Sequence, residues 1–359
     1  MDRAERRLLE NAWFPVATVD ELDSGIVQGR ILDTDLAVAR VDGHITVTQN
    51  DCPHRGMAMS QGRIVDGLLE CPYHGWLFDA RSGRCVKIPS LPDGTEPTHA
   101  SLTVYPTQVA YGLVWSSLSA SSRPRVPFPR LPEEIGAQWH IAAGRPYEVA
   151  CGIRQVTENF RDRAHQPFVH WRTMGHTSKE VPPYQVERKG WQLSYSTGVQ
   201  LTPNRPDADA NGEAGQHDMR YFVSLPSFAC VCIGSPFGGR RITIQAATPA
   251  DAAGEHILQF WAVGMDDDML ARGLELHELL AVEQSIFEED HEILKRQVPT
   301  EAPLDLHSQA HTRADRFSIE YRRTYKEMLG AYAAGTGADP LREPELSAVR
   351  PDHLQSPGS

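Results

Sequence analysis

Two short stretches decide the reading of this chain: Cys52-Pro53-His54-Arg55-Gly56 and Cys71-Pro72-Tyr73-His74-Gly75-Trp76. The pattern is Cys-x-His, sixteen intervening residues, then Cys-x-x-His. Gly and Pro flank both pairs as turn formers, so each pair belongs to a tight loop. Two thiolates and two imidazoles on two loops can hold one metal centre. A 2Fe–2S cluster takes such a set when two Cys bind one iron and two His bind the other. Zinc is the rival, but its usual sites group the Cys together and the His together, whereas here they alternate. Cys52, His54, Cys71 and His74 are therefore the candidate cluster ligands.

The chain has 359 residues, enough for two domains, and 40% hydrophobic residues supply a substantial core. A net charge of −12 argues against nucleic acid, which calls for a basic face. No apolar run approaches the roughly eighteen residues that a membrane helix needs. The charged start, Met1 to Arg7, leads into no signal-peptide core, so a soluble cytoplasmic protein is expected. Four Cys remain outside the loops: Cys85, Cys151, Cys230 and Cys232. In that compartment they read as reduced thiols, with Cys230-x-Cys232 on a short buried strand.

Short β-branched runs at Ile31-Leu32, Leu36–Ala39 and Ile45–Thr48 read as strands, with Asp42-Gly43 as a hairpin turn. Further strands are expected near Cys85–Ile88 and from Val109 to Trp115, after which the Ser- and Pro-rich run 119–129 marks a linker. In the second half, strands are expected around 145–153, 184–201, 219–233, 241–248 and 256–263. Trp191–Tyr195 shows the cleanest alternation. Residues 202–218 read as a loop, residues 267–297 and 313–332 as helices, and the end of the chain as a poorly ordered tail.

A second candidate centre is the run Glu158-Asn159-Phe160-Arg161-Asp162-Arg163-Ala164-His165-Gln166-Pro167-Phe168-Val169-His170. Read as the start of a helix, it puts Asn159, Asp162 and His165 on one face. Pro167 then ends or distorts the helix, and His170 swings back beside His165. A two-His, one-carboxylate set binds ferrous iron and leaves positions open for O₂. The carboxylate candidate is Asp290, which falls within an apolar helical stripe of Leu279, Val282, Ile286 and Ile293, with Glu289 at its edge. A buried carboxylate needs a partner or a metal.

These motifs together resemble the Rieske non-haem iron oxygenases. The resemblance rests on Cys-Pro-Tyr-His-Gly-Trp, on Asn159-x-x-Asp162-x-x-His165-x-x-x-x-His170 and on the helix Glu289–Gln297. The segment Ala314–Arg323 looks like the ending of the monooxygenase and demethylase branch, so the likeness runs to about residue 330. No Cys other than the two ligands lies between residues 52 and 76, unlike the disulfide-bearing respiratory Rieske protein.

The resemblance implies an α+β fold. An all-β Rieske domain at 13–117 and a linker at 118–136 precede a catalytic domain at 137–333. That domain holds an antiparallel sheet flanked by helices, helix-grip-like, and 334–359 forms a tail. It further implies one 2Fe–2S Rieske cluster on Cys52, His54, Cys71 and His74, and one mononuclear Fe(II) on His165, His170 and Asp290. O₂ is the co-substrate. Asp162 and Asn159 are implied catalytic residues, Asp162 by linking an iron-ligand His to a cluster His across a homotrimer contact. No dinucleotide fingerprint is present, so NAD(P)H acts only through a ferredoxin or flavin reductase partner. The implied activity is hydroxylation or oxidative demethylation of a small organic molecule. A ring-dihydroxylating dioxygenase α-subunit is the alternative within the class, and a non-catalytic Rieske electron carrier the alternative outside it. Phe222, Phe228, Phe260 and Trp261 are candidate pocket walls, with core packing as the favoured reading.

Overall fold

The protein is described by a computed structural model over residues 1–92, 99–119, 124–136, 138–174, 178–201 and 215–334. Most of the expected 202–218 loop, part of the 118–136 linker and nearly all of the 334–359 tail lie outside these residues; 215–218 belong to a strand. The helices are α1 (Arg3–Glu10), α2 (Ile153–Arg161), α3 (Gln166–Val169), α4 (Asp267–Ala271), α5 (Leu276–Leu294) and α6 (Arg316–Ala333).

Among the described residues, the first third carries three small antiparallel sheets after α1. Residues Thr34–Val41 and His44–Gln49 pair through Asp42-Gly43, both at positive φ (49° and 74°), as the dipeptide leads one to expect of a tight hairpin. Asp66-Gly67 repeats the device at 48° and 74°. The strand expected from Val109 to Trp115 is instead a hairpin, Thr107–Ala110 with Leu113–Ser116, turned by Tyr111 (φ 61°) and Gly112 (φ 71°). The Tyr side chain masks a turn that its glycine partner makes affordable.

Among the described residues, the second half is built on an eight-stranded antiparallel sheet. Its centre runs through Ile257–Met265, Arg240–Pro249, Phe228–Gly234, Gly215–Ser224 and Gln192–Leu201. The stretch 219–233 is therefore two strands, broken by the turn at Leu225-Pro226, and 145–153 is a short strand, Tyr147–Val149, followed by α2. The single helix expected over 267–297 is two, α4 and α5, separated where Gly273 takes φ 81°. Alternation sorts the middle strands. Met219, Tyr221, Val231 and Ile233 face a cavity under α2 and α5, while Phe222, Phe228, Cys230 and Cys232 pack with Trp13 and Trp115 on the other side. All six Cys are unpaired and buried.

Helices α1 and α6 meet around the start of α2. Its N-cap is Gly152, which offers no side chain to the exposed N–H groups. Glu301 takes that role: its Oε1 accepts from the backbone of Arg154 (3.0 Å) and Gln155 (3.2 Å). The Arg154 side chain pairs with Glu5 of α1 and lies 3.6 Å from Glu301, and Tyr325 of α6 donates to Glu5 at 3.0 Å. Burial pushes the Glu301 carboxyl up to about 7 against the attraction of Arg154. An acid raised on folding loses stability as pH climbs from its unfolded value to its folded one. Glu301→Gln should therefore gain in melting temperature relative to wild type as pH rises from about 5 to about 8. Calorimetric melts at several pH values check this, and a pH-independent difference would contradict it.

Candidate metal centres

The two cluster loops are conformational copies. In the first, Cys52 N donates to Met57 O at 2.9 Å and Gly56 N to Cys52 O at 2.8 Å. In the second, Cys71 N donates to Trp76 O at 2.9 Å and Gly75 N to Cys71 O at 3.0 Å. Both glycines have positive φ, 69° and 67°, which a side chain would strain. The shared sequence is Cys-Pro-x-x-Gly, with the His at the third position in one loop and the fourth in the other. Cys52 and Cys71 are buried, 2% exposed each, whereas His74 is exposed. Burial pushes the Cys52 thiol up to about 11, and the neighbouring Cys71 adds to it, so Cys52 stays protonated unless a metal takes it as thiolate. The His54 ring stacks on Trp76 at 4.3 Å and lies 4.6 Å from His74. Its Nδ1 is buried without a hydrogen-bond partner among the described residues, a nitrogen left for a metal. This arrangement fits a cluster whose cysteine side is buried and whose histidine side reaches the surface.

The second site corrects one expectation about its local structure. Asn159, Asp162 and His165 do not share one helix. Helix α2 ends at Arg161, Asp162 is its C-cap with extended backbone (ψ 129°), and His165 caps the separate turn α3. Pro167 sits in the first turn of α3, where its missing N–H costs nothing, so it starts a helix rather than ending one. The break still delivers both imidazoles to one point. His165 Nε2 and His170 Nε2 are 3.1 Å apart, and Asp290 Oδ1 lies 3.5 Å and 3.2 Å from them. Three cis donors about 2.1 Å from one ion are separated by about 3 Å, so the triangle fits a facial metal set.

The outer nitrogens explain the triangle. His165 Nδ1 faces Asp162 Oδ2 at 3.1 Å and His170 Nδ1 faces Glu289 Oε2 at 2.8 Å. Each carboxylate holds the proton on Nδ1 and turns the Nε2 lone pair inward. Burial pushes the Asp162 carboxyl up, but the bond from His165 and the N–H groups of Ala164 and His165 outweigh it and hold it below the usual range. Burial likewise works against a charged His170, yet Asp290 and Glu289 hold its imidazole above its ordinary value. Asn159 Nδ2 donates to Asp290 Oδ1 at 3.0 Å and so orients that carboxylate.

Glu289, placed at the stripe's edge by sequence, proves to be a partner of His170, and Thr173 Oγ1 also bonds it at 2.7 Å. Adjacent carboxylates on a helix opposite two imidazoles were the available signal. Along α5 the buried stripe is Leu279, Glu283, Ile286, Phe287, Asp290 and Leu294, while Ile293 is 40% exposed rather than inside. The four aromatic wall candidates do not line the cavity; Phe222, Phe228 and Phe260 belong to one core cluster and Trp261 to another. The cavity itself, about 50 Å³, lies between the triangle and the sheet.

Two family descriptions match the chain: "Rieske [2Fe-2S] domain" over residues 12–106 and "Vanillate O-demethylase oxygenase C-terminal domain" over residues 149–331. The chain belongs to the Rieske non-haem iron oxygenases. It is an oxidoreductase of that family. The methylxanthine N1-demethylase NdmA of Pseudomonas putida is 27% identical over 96% of this chain and 98% of its own length. The methylxanthine N3-demethylase NdmB of the same organism is 25% identical, covering 96% of both. The solved structure of NdmA with caffeine shares the fold, with a TM-score of 0.77 at 24% identity over 96% of this chain and all of that one. No helix among the described residues of this oxygenase is long and apolar enough to cross a membrane.

Glu289→Gln should weaken ferrous iron binding about 10- to 100-fold while leaving the fold and the cluster signal intact. Anaerobic iron titration of the variant checks this, and unchanged affinity would remove Glu289 from the site.

Proposed function

We propose that this oxygenase hydroxylates or oxidatively demethylates a small organic substrate held in the cavity beside His165, His170 and Asp290. Its electrons come from a separate ferredoxin or flavin reductase. The observation that carries the reading is the inward triangle of two Nε2 atoms and one carboxylate oxygen. Cys52, His54, Cys71 and His74 would hold the 2Fe–2S cluster, and the triangle would hold mononuclear iron. That iron, when bound, supplies O₂ activation at the positions a three-ligand set leaves open.

The chain's own residues do the rest. Asp162 and Glu289 fix the tautomers of the two imidazoles, and Asn159 fixes the carboxylate. Met219, Val231, Ile233, Ile286 and Phe287 give the cavity apolar walls that exclude water. The relation to two N-demethylases favours removal of a methyl group over ring dihydroxylation. Asp162 keeps a side chain 33% exposed while bonded to His165, which suits a second contact to a cluster His of another copy in a homotrimer. Reduction from outside suits the exposed His74 edge.

The test is anaerobic EPR of the reduced protein with iron counted on the same sample, followed by reductase-driven O₂ uptake. About three iron atoms per chain, a rhombic signal with average g below about 2, and O₂ uptake are expected. Two iron atoms per chain with a full cluster signal and no O₂ uptake would make the protein an electron carrier instead. Asp162→Asn should keep the cluster signal, weaken mononuclear iron binding as Glu289→Gln does, and lose most turnover even when iron is saturating.

A further inference from the structure

Two features of the cavity wall go unused by the oxygenase reading. The first is Gln166. It is 6% exposed, and its Nε2 donates to the Tyr221 hydroxyl at 3.2 Å. Its Oε1 is buried with no partner among the described residues, on a residue that lines the cavity one position after His165. An unpaired buried acceptor destabilises the fold, and an apolar residue at that place would carry no such penalty. The group is therefore best satisfied by something that enters the cavity.

The second feature is charge. Outside the metal triangle, the charged residues lining the cavity are Arg241 and Glu283. They pair at 2.8 Å with side chains only 1% and 8% exposed. Each neutralises the other, so the wall presents no net charge. Iron held by one carboxylate would leave a single positive charge at the triangle, so a substrate carboxylate could be compensated only by ligating the iron, where it would take the positions open for O₂; elsewhere in the cavity its charge would be buried uncompensated. A cationic substrate meets the same obstacle, because Glu283 is already engaged.

We propose that the substrate is an uncharged compound bearing an N–H or O–H donor, of the amide, lactam or urea kind, and that Gln166 Oε1 accepts that donor. Gln166 is then a specificity-determining residue, and the Arg241–Glu283 pair is the filter against carboxylates. The inference rests on the oxygenase reading for the identity of the cavity. It goes beyond that reading in naming the substrate's charge and hydrogen-bonding sense. Sites of this type reject analogues that lack the donor because the protein's own buried group is then left unpaired.

The test is anaerobic calorimetric binding, without turnover, on protein whose cluster signal and iron content are measured first. The probes are methoxy- and N-methyl-substituted aromatic compounds of several shapes, each prepared as primary amide, methyl ester and carboxylate. Amides should bind at least about tenfold more tightly than the matching esters and carboxylates. Gln166→Leu should abolish the amide-over-ester preference while leaving ester affinity unchanged; Gln166→Met serves if the first variant fails to fold. Glu283→Gln should shift the balance toward carboxylates. Three results on metal-loaded protein would each overturn the inference and leave the oxygenase reading standing. These are carboxylates binding as well as amides, esters binding as well as or better than amides, and no amide binding at millimolar concentration. Absence of the metals from the sample would instead sink the oxygenase reading.

Discussion

The Nε2 atoms of His165 and His170 face each other across 3.1 Å, with a buried carboxylate oxygen beside them. Asp162 and Glu289 hold protons on the far nitrogens, so two lone pairs and an anion converge on one point. Without a cation such a point is repulsive. Much of the catalytic half can be understood as the scaffold that keeps these groups from relaxing apart. Helix α5 brings Glu289 and Asp290 on adjacent positions, and α2 breaks at Arg161 so that Asp162, His165 and His170 can approach from the other side.

Buried polar ties hold the break in place. Arg322 of α6 grips Glu158 of α2 through two bonds, 2.6 Å and 2.7 Å. Tyr195 donates from the sheet to the carbonyl of Arg161 at 2.9 Å, at the residue where the helix stops. Arg154 and Glu301 fix the other end of α2 to α1 and α6. Buried ion pairs of this kind add little net stability over apolar packing, but removing one partner is costly. They tie the position of α2, and with it Asn159 and Asp162, to elements far away in sequence. The cluster loops follow a different principle. They depend on two left-handed glycines and a stacked Trp76 rather than on long-range ion pairs.

Much of this was legible from residue type and spacing. The Cys-Pro-x-x-Gly loops, the Asp42-Gly43 turn and the buried place of Asp290 all follow from local rules, because each depends on neighbours within a few positions. What was not legible depended on neighbours elsewhere. Asn159, Asp162 and His165 looked like one helical face because their spacing allows it, and only the extended backbone at Asp162 separates them. Ile293 fits the apolar period of α5 but lies 40% exposed, where nothing among the described residues covers it fully. The aromatic residues of the sheet read as core more readily than as pocket wall, and strand parity decides their side: Tyr221 faces the cavity and Phe222 faces away. Glu289 and Gln166 gain their roles only from what folds opposite them.

The most direct measurement of the central claim is anaerobic calorimetric titration of Fe(II) into protein that carries its cluster but has been stripped of mononuclear iron. The account predicts uptake of about one ion per chain, lost in both His165→Ala and Asp290→Ala while the cluster signal persists. No uptake by the wild-type protein, or uptake undiminished in both variants, would contradict it.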